Sequence, residues 1–218
     1  MCLNKDTGRR LLTIFTSNSS PMAKLLWKPG TMVYPLPAAM ISCGSEPSEY
    51  NILTVSWTGT ICTDPPMCYI SVRPARHSYN IIRKNKEFVL NLTTKKLAFA
   101  ADWCGVKSGK DHNKFSEMNL TPVPASEIKA PLIRESPVNI ECRVRDIVEL
   151  GSHHMFISDV VAINADKKYF NAKTGTFRLS DAELICYSHG RYYETGRMIG
   201  KFGFSVEKIK KKRKKKNN

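Results

Sequence analysis

Residues 51–91 read NILTVSWTGTICTDPPMCYISVRPARHSYNIIRKNKEFVLN, and the rhythm of this stretch decides the fold. Residues 52–57 alternate Ile52, Thr54 and Ser56 with Leu53, Val55 and Trp57, the period of a strand with one apolar and one hydroxyl-bearing face. Asp64-Pro65-Pro66 makes a turn, and residues 67–72 form a second strand. A basic loop then leads into a short helix over residues 78–86, after which residues 88–92 return to strand.

Outward from this centre, strands keep outnumbering helices. Upstream, Pro29, Gly30, Pro35 and Pro37 deliver the chain into a short apolar strand over residues 38–43. Downstream, LAFAADWC (97–104) is helix material closed by Gly105. A polar loop and a linker punctuated by Pro122, Pro124 and Pro131 follow, and then two long strands over 138–150 and 154–163 with Gly151-Ser152 as the hairpin turn. The aromatic, Gly-rich residues 184–205 read as one last strand and an extension that folds back. Consecutive strands in this number predict a mainly β, antiparallel, closed or nearly closed barrel with a few peripheral helices. A parallel nucleotide-binding sheet is not expected, because neither GxGxxG nor GxxxxGK[ST] occurs.

The 218 residues suffice for one buried core, and apolar residues (42%) are spread along the chain. The net charge of +15 suggests a nucleic-acid binder until it is divided by region. Residues 208–216 carry eight Lys or Arg and no acid, and residues 1–21 carry a net +2, so residues 22–207 carry only +5. The expected organisation is therefore a leader or disordered arm (1–21), one domain (22–207) and a disordered basic tail (208–218). Such a tail binds RNA, anionic lipid or an acidic partner, or it simply keeps the chain in solution; nucleic acid is not the expected partner of the domain. Seven cysteines with no CxxC pair, most of them in apolar runs, point to free thiols in a reducing cytoplasm. No metal site and no membrane insertion are expected.

Two features of the central stretch carry chemistry. Arg73, Arg76, His77 and Ser78 lie in one loop entering a predicted helix, where guanidinium, hydroxyl and backbone N–H donors can converge on an anion. The alternative is an exposed basic turn. Thr54, Ser56 and Thr58 share a strand face whose reverse is Val55, Trp57 and Gly59, which suits a flat ring system with polar edges. A plain barrel wall would read the same way.

The order N-x-x-T-x-S-W (51–57), D-P-P (64–66), S-V-R-x-x-R-x-S (71–78) and F-V-x-N (88–91) resembles the flavin reductase-like, FMN-binding split-barrel family, and in particular its flavoredoxin branch. SGKDHNKF (108–115), with Asn113 where an acid is usual, is similar to that family's D-K-F loop. NIECRV (139–144), GSHHMFISDV (151–160) and GRYYETGRMIGKFGFS (190–205) also resemble it, with Ser152 in place of Asp and Ser158 in place of Gly.

The resemblance implies an antiparallel split β-barrel of Greek-key type that holds FMN. Thr54, Ser56, Trp57 and Thr58 would line the ring, with Asn51 at the same edge. Arg76, His77 and Ser78 would hold the phosphate, helped by Lys110 or Lys114. His153 would stand where a nicotinamide stacks, or be a polar hairpin residue. The implied activity is NAD(P)H-dependent flavin reduction, with hydride passing from NADH or NADPH to FMN and electrons on to free flavin, ferric iron or a redox protein. An FMN-holding electron carrier of flavoredoxin type, or a module acting through its basic tail, are the alternatives. A homodimer is also implied, and Tyr192, Tyr193, Phe202 and Phe204 supply either a contact surface or more core.

Overall fold

A computed structural model describes residues 24–207, so the expectations for residues 1–21 and 208–218 lie outside the described residues. The chain divides into two units, Met1–Met32 and Val33–Asn218. The described part of the first, residues 24–32, has neither helix nor strand. Among the described residues all regular structure lies in the second.

In chain order the strands are β1 (Leu36–Pro37), β2 (Ala39–Cys43), β3 (Asn51–Val55), β4 (Thr58–Cys62), β5 (Met67–Val72), β6 (Glu87–Leu92), β7 (Pro122–Val123), β8 (Leu132–Ile133), β9 (Val138–Glu149), β10 (His154–Ala165), β11 (Ile185–Ser188) and β12 (Arg191–Glu194). The α-helices are α1 (His77–Asn85), α2 (Ala98–Val106) and α3 (Lys114–Glu117). Seven strands form one antiparallel sheet in the order β3-β2-β6-β9-β10-β5-β4. Strands β3 and β4 therefore follow one another in sequence yet occupy opposite edges, so the sheet curls into a barrel that stays split between them. The expected antiparallel split barrel is the observed one.

Side-chain chemistry explains the curl. Inside it, Ile41, Leu53, Ile70, Val72, Phe88 and Phe156 form the main core, and α1 closes one end with Tyr79, Ile81 and Ile82. On the outer face of β2 and β3, Met40 and Ile52 pack against Ala100, Ala101 and Cys104 of α2 and Phe115 of α3. Strand β2 is thus buried on both faces, which is why its sequence is apolar but for Ser42, whose hydroxyl is hydrogen-bonded. The β9–β10 hairpin carries register shifts at Ile157/Ser158 and Val160/Ala162, and irregularities of this kind bend a strand.

The proline-punctuated linker is docked rather than loose. The Glu141 carboxylate, fully buried, accepts the N–H of Ser126 and of Glu127 (both 2.7 Å) and the Asn164 amide (2.6 Å). Asn91 Oδ1 accepts Ile133 N–H at 3.1 Å, and Ser42 Oγ donates to Pro131 O at 2.5 Å. These bonds satisfy backbone groups that no strand partner reaches.

Three sequence expectations are corrected. The strand read through residue 57 ends at Val55, because Ser56 and Trp57 cross the split and Ser71 N–H bonds Trp57 O instead (2.8 Å). Gly105 does not close its helix but lies within α2, where an added Cβ would come to 3.2 Å from Thr54 Cβ. The glycine lets the helix approach the strand. Finally, residues 185–194 form a hairpin rather than one strand, with β11 paired to β1 as well as to β12. Its two turn residues, His189 (φ 49°) and Gly190 (φ 83°), both have positive φ, as a two-residue turn between twisted strands prefers.

Among the described residues no helix is long and apolar enough to cross a membrane. Phe156 is fully buried, and its ring centroid lies 5.5 Å from that of Tyr79. Phe156→Ala should cost about 3–5 kcal/mol of stability, read as a lowered urea midpoint at unchanged slope.

Candidate functional site

Two adjoining compartments open where the barrel is split, with Leu53 and Arg76 on the wall of both. The wider, about 260 Å³, is framed by Ser56 and Trp57 of the crossing, Arg73 after β5, His153 of the β9–β10 hairpin, Asp102 and Gly105 of α2, and Tyr187 and Tyr192 of the β11–β12 hairpin. The narrower, about 90 Å³, lies at the start of α1, between Asn51, His77, Ser78, Lys114 and the loop of Lys107 to Gly109.

The narrow compartment is cationic by construction. Arg76 occupies the N-cap position of α1 with extended backbone, and the first turn of a helix leaves N–H groups without intrahelical acceptors. Ser78, 1% exposed, accepts a hydrogen bond from Asn51 Nδ2 at 2.7 Å, which ties the helix start to β3. Lys114, 4% exposed, donates from Nζ to Ile52 O and to Cys104 O, both at 2.7 Å. An ammonium group has three protons, so one remains for a further acceptor.

The neighbours of Lys114 do not neutralise it. No carboxylate lies within 4.0 Å of it among the described residues. Burial pushes its pKa down to about 8, against the smaller opposing pull of Cys104, with Arg76 adding to the depression. Burial also pushes the Cys43 thiol up to about 12 and the Cys104 thiol to about 11, so both are neutral at pH 7. A buried cation beside neutral thiols bears a desolvation cost that these neighbours do not offset.

The wide compartment is aromatic. Trp57 lies parallel to His153 (interplanar 7°, centroids 6.1 Å apart) and at 6.4 Å from Tyr187. His153 is held below the ordinary imidazole pKa by burial first, then by Arg73 and Arg76, which favours the neutral ring. On the opposite wall Tyr192 donates its phenol proton to Asp102 Oδ1 at 3.1 Å, and burial followed by this bond pushes its pKa up to about 12.

Thr54, Ser56, Trp57 and His153 border the wide compartment, Asn51, His77, Ser78 and Lys114 the narrow one, and Arg76 both. The Thr54 hydroxyl is already spent on Ala101 O (2.5 Å), so its side chain fastens α2 to β3. Two expected residues fall outside both walls. Thr58 turns its hydroxyl to Tyr69 O (2.6 Å) in β5, and Lys110 is exposed on an outer groove with Pro74 and Asn80. Lys107, Asp102, Tyr187 and Tyr192 border the compartments without having been singled out for them. Tyr192 had a signal in its aromatic segment; Asp102 had only its place on a helix.

Residues 31–196 match the family model described as the flavin reductase like domain. An uncharacterized protein of Pyrococcus abyssi is 29% identical over 139 residues, 64% of this chain and 79% of that one. The NADH-dependent flavin reductase StyB of Pseudomonas fluorescens is 29% identical over 128 residues, 57% of this chain and 68% of that one. Among solved structures, the flavoredoxin of Desulfovibrio vulgaris (Miyazaki F) superposes with a TM-score of 0.77 at 25% identity, covering 84% of this chain and all of that one.

The Lys114 environment is open to test by pH. Its pKa in the fold, about 8, lies below the ordinary 10.5, so between these values the unfolded chain binds the extra proton. The destabilisation is constant below pH 8 and is relieved as pH rises toward 10.5. The raised thiols act in the opposite direction above their ordinary 9.0, but they are common to the wild type and Lys114→Met. The stability of the wild type minus that of the variant should therefore climb between pH 8 and 10.5 in denaturant titrations; a flat difference contradicts the assignment.

Proposed function

Because the chain belongs to the flavin reductase-like domain family, we propose that it holds FMN across the two compartments and acts as an NAD(P)H-dependent flavin reductase that passes electrons to an acceptor. The observation that carries this reading is the juxtaposition itself: an aromatic-walled cleft adjoins a cationic pocket at a helix start, and one arginine borders both. A ligand that is flat at one end and phosphorylated at the other satisfies both chemistries.

The residues fit such a group. Gly109 brings its backbone so close to Asn51 that an added Cβ would stand 2.0 Å from Asn51 Oδ1, so a side chain there would displace the Asn51–Ser78 bond. Arg76, His77, Ser78 and the third proton of Lys114 would hold the phosphate, and Lys107 stands on the same wall. Thr54, Ser56 and Trp57 would lie along the ring, with Asn51 at its edge. FMN, when bound, supplies the hydride-accepting and one-electron chemistry.

The protein's own part is position, polarity and access. Neutral His153, stacked on Trp57, offers a flat uncharged surface at the mouth of the cleft, where a nicotinamide would pack. Similarity to an NADH-dependent flavin reductase supports NADH or NADPH as the electron donor. Free flavin, ferric iron or a redox protein would be the acceptor. A second reading, a carrier that exchanges electrons only with protein partners, is favoured by the likeness to flavoredoxin.

We also propose a homodimer. Met198, Ile199, Phe202, Phe204 and Val206 are exposed along the C-terminal part of the described chain, at 57–109% of their free surface, so they are not core of this protomer. An apolar run of this kind is what a partner surface covers.

Protein refolded with FMN should be yellow, and under anaerobic conditions NADH or NADPH should bleach it; retention of colour without bleaching would select the carrier reading. Arg76→Ala should weaken FMN about 10- to 100-fold in a fluorescence titration, the value of a charge-assisted bond, and unchanged affinity would overturn the phosphate assignment. Sedimentation should give twice the 24.6 kDa chain mass.

A further inference from the structure

Arg73 is not needed by the phosphate pocket. The turn that carries it, closed by the Arg76 N–H to Arg73 O bond (2.9 Å), spaces two guanidinium groups three residues apart. Arg76 borders both compartments, whereas Arg73 borders only the wide one. The narrow pocket already has Arg76, Lys107, Lys114 and the start of α1 for one phosphate. Among the described residues neither arginine has a carboxylate within 4.0 Å.

The charges of the wide compartment are therefore unequal. Its carboxylate, Asp102, is on the α2 wall and receives the Tyr192 phenol. An unpaired guanidinium, that of Arg73, lines the same aromatic cleft and acts on His153 through its charge. A cleft in which one sign of charge predominates concentrates ligands of the other sign, the more so when its walls are apolar.

We infer that Arg73 is a specificity-determining residue of the wide compartment, where it selects second substrates that join a flat ring to an anionic group, independently of the phosphate pocket at α1. This rests on the reading of the site given above. Two sources share that chemistry: the pyrophosphate of a dinucleotide donor, and the phosphate of a free flavin acceptor. A guanidinium suits either, because its fork of N–H donors matches phosphate oxygens in pairs.

The test uses FMN-loaded wild type, Arg73→Gln and Arg73→Lys, each first titrated for FMN retention. With NADH as donor against the uncharged N-benzyl-1,4-dihydronicotinamide, Arg73→Gln should raise the ratio of the two KM values about tenfold, and Arg73→Lys should restore most of it. If the anion belongs to the acceptor, the same ratio change appears between free FMN and riboflavin at a fixed concentration of the uncharged donor. Calorimetric titration with NAD+, and with free FMN against riboflavin, reads the subsite without turnover and so applies equally to an electron carrier. In the wild type, rising salt should weaken the charged probes alone, and this slope should flatten in Arg73→Gln. Equal effects on charged and uncharged probes, no effect on either, or loss of resident FMN from Arg73→Gln would overturn the inference. Failure of the wild type to retain FMN would instead overturn the functional reading, and it is seen before any second substrate is added.

Discussion

Two residues govern this structure. Ser56 and Trp57 join strands at opposite edges of a seven-stranded sheet, and three peptide steps can span no more than about 11 Å. In a flat sheet the same edges would be about 29 Å apart, six intervals of roughly 4.8 Å. The sheet must therefore curl until its edges nearly meet. Because the crossing itself spends its hydrogen bonds locally, Thr58 N–H to Ser56 O and Ser71 N–H to Trp57 O, the edges never zip together. The remaining gap is the cleft.

Everything at the gap is arranged by elements that come from elsewhere in the chain. Helix α2 is drawn onto β3 by the Thr54 hydroxyl and by the bare backbone of Gly105. Lys114 then bridges the same strand and helix from below, through one carbonyl of each. The β11–β12 hairpin reaches α2 through Tyr192 and Asp102, and the turn just before α2 through the ion pair of Glu194 with Lys95 (2.6 Å). The β9–β10 hairpin contributes His153 against Trp57. A barrel that cannot close thus acquires walls from its loops and helices, the parts of a fold that vary most easily.

How much of this was legible depended on distance along the chain. The strands at residues 67–72 and 138–149 were plain because alternation and apolar runs are local signals. Alternation misled at Trp57, since it continues past the place where the chain leaves the sheet. Gly105 looked like a helix stop because a glycine's close contact with a strand 51 residues earlier has no local mark. Lys114 was visible as a candidate cation, but its burial depends on Ile52, 62 residues away. The Tyr192–Asp102 bond spans 90 residues and left only an aromatic segment to notice. Order along the chain supplied what chemistry alone did not: separated motifs in one order pointed to the family, and residues 31–196 match its model.

The buried ammonium of Lys114 has a consequence for how the molecule lives before it meets any ligand. A charge withdrawn from water without a counter-ion is a standing burden on the native state, which the surrounding core has to outweigh. An anion that settles beside it lifts that burden only in the folded chain, and so favours folding by RT ln(1 + [L]/Kd). Occupancy and foldedness would then be linked: an anion held beside Lys114 would add to the stability of the native chain in proportion to the logarithm of its supply.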